Sequence, residues 1–129
     1  MGIINLQDFS ENAKKVWTSI KDYAVKGGKA TTKMLLELYY VMIDKNTAGS
    51  DKLLIGAAIA YQVLPTDLLP KKRFGLFGLT DNAAALAFAY NKMKAAITPA
   101  IEIKVEATLV KWFGGKNGEF VEFEEVEEM

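Results

Sequence analysis

The stretch from Leu53 to Thr66 is the longest in the chain without a charge, and its apolar part, Leu53–Leu64, constrains the fold most. As a helix it would be about 18 Å long at 1.5 Å per residue. That is well short of the ~30 Å hydrocarbon slab of a membrane. It is apolar on every side, so the rest of the chain has to cover it. Gly56 and Ala60 lie one turn apart and let a neighbour come close. Ser50 is a fitting N-cap, Asp51 suits the positive end of the helix dipole, and Pro65 ends the helix. A central helix of a soluble domain is therefore expected here.

The chain can supply that cover. It has 129 residues, half of them apolar and 11% aromatic, which fits one domain with one core. Phe9, Ala13, Val16, Trp17, Ile20 and Ala24 repeat at the spacing of one helical face. Asp8 and Glu11 resemble a capping box, and Gly27-Gly28 supplies a stop, so a first helix is predicted over 9–26. A second is predicted from a cap at Thr31 or Thr32 through Met34, Leu35, Leu38, Tyr39, Val41 and Met42 to about Ile43. The polar loop Asp44-Lys45-Asn46-Thr47 follows. Another helix is predicted from Thr80 or Asp81 through Ala83–Tyr90 to about Ile97. Its alanines favour close packing on Leu53–Leu64 as a central αα-hairpin.

Residues 99–113 read two ways. Thr98-Pro99 is a good helix start, and Ile101, Val105, Leu109 and Trp112 fit a helical stripe. Yet Ile101–Glu106 alternates like a strand, and Asn117-Gly118 before Glu119–Phe123 would suit a hairpin turn. The helix is preferred, because an isolated hairpin is marginal. The expectation is an all-α single domain over 1–115, with four to five helices around the central hairpin. Residues 116–129 are expected to form a peripheral acidic tail, disordered or loosely docked.

Composition narrows the chemistry further. There is no histidine and no cysteine. Zinc sites of the usual kind, thiol nucleophiles, Ser-His-Asp triads and disulfides are thereby excluded. The net charge is zero, but residues 119–129 carry −6 and residues 1–118 carry +6. A strongly basic nucleic-acid protein would not look like this overall, but the body alone is mildly basic. The start, Met1-Gly2-Ile3-Ile4-Asn5, lacks the cationic opening of a signal peptide, and Leu6 does not fit a myristoylation signal. A cytoplasmic protein, peripheral to the inner membrane surface at most, is expected.

The segment after Leu64 carries a motif. Tyr61-x-x-x-Pro65-x-Asp67-Leu68-Leu69-Pro70, followed by Gly78-x-x-Asp81, resembles the signature of the YkvA-like family, a bacterial domain of unknown function. Members read tyrosine, Pro-Ile-Asp-Leu-Ile-Pro-Asp, then Gly-x-x-Asp-Asp opening a helix. The resemblance spans roughly 34–113 and implies a small helical domain, suspected of membrane association, with no established reaction. Two positions depart from the pattern. Lys71 stands where the family has an acid, and Asn82 replaces the second aspartate.

Asp67 and Asp81 could form a carboxylate pair for metal or acid–base chemistry, which would make a metal-dependent enzyme of the 65–82 loop. Asp at such positions more commonly caps a turn, and Lys71 and Asn82 dilute the charge. Tyr61 could reach the same loop but is expected to be a core aromatic. Lys71-Lys72-Arg73 beside Phe74, Leu76 and Phe77 forms a candidate surface patch for an anionic membrane or a protein partner. The alternative is aromatics folded over the core with the bases in water. Gly75-Leu76-Phe77-Gly78 has the outline of a nucleic-acid clamp but apolar middle residues. Gly75 and Gly78 do not make a phosphate loop, and Ser10, Ser19 and Ser50 have no base to activate them. The sequence thus points to a non-enzymatic interaction module without cofactor or metal.

Overall fold

The computed structural model describes residues 5–64 and 82–114. Among them are six α-helices: α1 (Leu6–Glu11), α2 (Ala13–Gly27), α3 (Lys29–Ile43), α4 (Gly49–Val63), α5 (Asn82–Met93) and α6 (Pro99–Trp112). A short 3₁₀ turn, Lys94–Ala96, follows α5. The described residues contain no strand, as an all-α domain requires.

The helix predicted over 9–26 is two helices broken at Asn12. Asn5 caps the first, its Oδ1 accepting from the Gln7 and Asp8 amides at 2.9 and 3.2 Å. Asn12 caps the second by accepting from the Lys15 amide at 3.1 Å. A short amide side chain there offers the backbone an alternative to continuing the helix, and the chain turns. Asp8 lies inside the first turn of α1 rather than capping it.

The next junction is Gly28, with φ of +86°, a conformation that side chains resist. α3 starts there without a side-chain cap, not at Thr31 or Thr32. Thr32 is already helical, and its hydroxyl donates back to the Gly28 carbonyl at 2.7 Å. Ser50 likewise falls inside α4, whose cap position is Ala48. The helix stops at Leu64, held extended before Pro65. Residues 99–112 are helical, with Thr98 Oγ1 accepting from the Ile101 amide at 3.2 Å and Pro99 in the first turn.

α4 is central, as its composition demands: α1, α2, α3 and α5 all pack on it. Its glycine faces an unexpected neighbour. A Cβ on Gly56 would run into the side chain of Ser10 and lie 3.1 Å from its Cα, so the close approach is to α1. The α4–α5 pairing exists, but α5 exposes Ala83, Ala84, Ala87 and Phe88. α3 shares the centre instead, being buried without interruption from Leu35 to Met42 between α2, α4, α5 and α6. One side of it stacks aromatics. Trp17 of α2 meets Tyr39 at 5.2 Å and Trp112 of α6 at 5.3 Å between ring centroids.

A candidate buried carboxyl site

Burying α3 from Leu35 to Met42 takes Glu37 with it. Only 2% of this residue is exposed. A buried acid must be neutralised, paired or hydrogen-bonded. Two neighbouring helices bring partners: α6 contributes Glu102 from its first turn, and α5 contributes Tyr90. The Tyr90 hydroxyl donates to Glu37. Lys33, one turn earlier on α3, supplies a positive charge acting on Glu37. It is itself drawn to Glu106 of α6, at 3.6 Å.

Burial pushes the Glu37 carboxyl up to about 7, helped by the hydrogen bond to Glu102 and by that residue's like charge. The Tyr90 donor and Lys33 oppose the shift without cancelling it. Burial and the two carboxyls likewise push Tyr90 up. Two ionised carboxylates only accept, so a bond between Glu37 and Glu102 requires a proton. With both ionised, Glu102 Oε1 is a buried acceptor that no group satisfies. A proton on Glu37 supplies the donor and removes the charge–charge repulsion. The proton that this bond needs is therefore assigned to Glu37, whose carboxyl is held up at about 7 by burial.

An acid titrating near 7 suits acid–base catalysis in principle. Catalysis also needs access, and Glu37 has almost none. A cavity of about 300 Å³ lies elsewhere, lined by Ser10, Glu11, Ala13, Met42, Ile43 and Lys52. The cation in its wall is engaged: Lys52 Nζ donates to the Met42 and Asp44 carbonyls at 2.6 and 2.8 Å, closing the end of α3. Among the described residues no three acids lie together as metal ligands would.

Of the residues singled out from sequence, Tyr61 is described. It is buried in α4, 8% exposed, and burial raises its hydroxyl. Pro65, Asp67, Leu68, Pro70, Gly78 and Asp81 lie outside the described residues, as do Lys71, Lys72, Arg73, Phe74, Leu76 and Phe77, and the tail 116–129. Asn82 opens α5. Sequence reasoning passed over Glu37 because it falls off the stripe Leu35, Leu38, Tyr39 and Met42. The available signal was its setting: one acid inside Leu35-Leu36-Glu37-Leu38-Tyr39-Tyr40-Val41-Met42.

A family model described as "Protein of unknown function (DUF1232)" matches residues 51–88, from the first turn of α4 across the connecting segment into α5. Residues 51–88 are thus similar to this family. The match contains every motif residue from Tyr61 to Asp81 and is narrower than the 34–113 span that the resemblance covers. Glu37 and Glu102 both lie outside it, so the carboxyl pair belongs to the helices that surround the DUF1232 segment. No curated protein and no solved structure matches the chain.

Proposed function

We propose that the chain is a non-enzymatic helical interaction module that meets anionic membrane surfaces through residues 71–77. The observation that carries this reading is the order Lys71-Lys72-Arg73-Phe74-Gly75-Leu76-Phe77 in a segment anchored at both ends, by α4 and by α5, which pack on each other. Each base near an anionic surface contributes about 1 kcal/mol, so three give ~3 kcal/mol. An inserted aromatic adds roughly 1.5–3 kcal/mol. Contact would be peripheral, since no helix among the described residues is long and apolar enough to cross a membrane. The inaccessibility of Glu37 favours a binding role over a catalytic one. The test is sedimentation with phosphatidylserine vesicles at low salt. The full chain should sediment, lose binding as salt screens the charges, and lose it also in the Phe74→Ser/Phe77→Ser variant. A full chain that stays in the supernatant with anionic vesicles contradicts the reading.

A further inference from the structure

The exposed large apolar residues among those described are Val25, Ile43, Phe88, Ile103 and Val110. The first three stand singly on α2, α3 and α5. Ile103 and Val110 share α6, 71% and 70% exposed, two turns apart. Ala100 and Ala107, also exposed, complete the series 100, 103, 107, 110. This alternation of three and four residues is the seam of a coiled coil, running along the side of α6 opposite the buried Ile101, Val105, Leu109 and Trp112.

The flanks say what would cover such a seam. With Ala100 and Ala107 at the a positions and Ile103 and Val110 at d, Lys104 and Lys111 fall at e and Glu106 at g. In a parallel pair of helices each g residue meets the e residue five positions on in the other helix, here Glu106 with Lys111 of the partner subunit. An antiparallel pair would set e against e, lysine against lysine. The charges therefore complement a second α6 in parallel and repel an antiparallel one. The bond from Lys33 to Glu106 is no obstacle, because at 3.6 Å between half-exposed groups it contributes little. Lys104 is held over the Tyr40 ring at 5.6 Å, which leaves the pairing to Lys111.

We infer that the chain self-associates through this face of α6, two copies packing their sixth helices in parallel about a twofold axis. The helix has 14 residues and is about 21 Å long, so the contact is smaller than a standard interface and the dimer is weak. It is independent of the lipid patch, which lies in another part of the chain.

Sedimentation velocity of the full chain, from about 5 to about 500 µM, tests this. The weight-average sedimentation coefficient should rise with concentration. Ile103→Ser/Val110→Ser replaces mostly exposed side chains, so its melting should match the wild type while its dissociation constant rises roughly tenfold or more. Glu106→Lys and Lys111→Glu should each weaken association, and their equimolar mixture should restore it, because both interfacial pairs are again opposite in sign. A chain monomeric throughout the range overturns the inference. So does stronger association in Lys111→Glu, the sign of antiparallel packing. Vesicle binding that depends on Ile103 and Val110 in a monomeric chain also overturns it, since lipid would then be what covers the face.

Discussion

α3 is buried on two sides by opposite means. Toward α2 it presents Tyr39 and Tyr40 to Trp17, which in turn meets Trp112 of α6, with ring centroids 5.2 to 6.3 Å apart. Tilted and edge-on contacts of this kind add to the gain from burying large apolar surfaces. Toward α5 it presents Glu37 to Tyr90 and, on α6, to Glu102. That layer is held more strongly when Glu37 carries its proton. The first side owes its stability to area and shape, which do not vary with pH. The second trades with the solvent. Two layers built on one helix therefore differ less in burial than in what each takes from water, and pH separates them.

The largest effect should come from the aromatic side. Trp112 is fully buried, and Trp112→Ala should cost about 3–5 kcal/mol, as aromatic truncations in cores do. The loss should be the same at pH 5 and pH 8. A loss that changed with pH would show that the two layers are coupled rather than separate.

A smaller change is expected at Glu102→Gln. It removes a like charge from Glu37 and leaves an amide that can still bond to it. Burial, the leading cause of the shift, remains. The titration of Glu37 should therefore move down but stay above the ordinary carboxylate range. The change is of order 1 kcal/mol, read as a displaced fall in a plot of stability against pH. An unmoved curve would mean that Glu102 does not act on Glu37.

Much of this architecture was legible in the sequence, and the misses share a cause. The apolar run 53–64 announced a central helix, and Thr98-Pro99 with the stripe Ile101, Val105, Leu109 and Trp112 announced α6. Periodicity sees one face at a time, and that limited the reading of α3. A helix buried all round hides its second face behind the first, so Glu37 looked like a solvated residue. Periodicity also runs through breaks that preserve it. Phe9 and Ala13 kept the register of Val16 and Trp17 although Asn12 ends one helix and caps the next. Gly56 announced a close contact but not its partner, because the α1–α4 approach depends on that same break. The motif from Pro65 to Asp81 was legible as a family signature, and the family match confirms that much.

The most direct test is urea unfolding of the wild type and Glu37→Gln across pH 5 to 8.5. The folded protein holds the Glu37 proton up to about pH 7, against 4.5 for an unperturbed glutamate. Its contribution is therefore fully present below pH 4.5 and is lost as pH rises through 7. Between those values the folded state binds more protons than the unfolded one, so stability must fall with rising pH. The fall amounts to about 3 kcal/mol if the whole shift is expressed. Wild-type stability should decline from pH 5 to about 7 and then level off, while that of Glu37→Gln should not decline, so the variant gains on the wild type up to about pH 7 and keeps that gain above it. Parallel curves for the two proteins, flat or rising, would contradict a proton held by Glu37 in the buried pair.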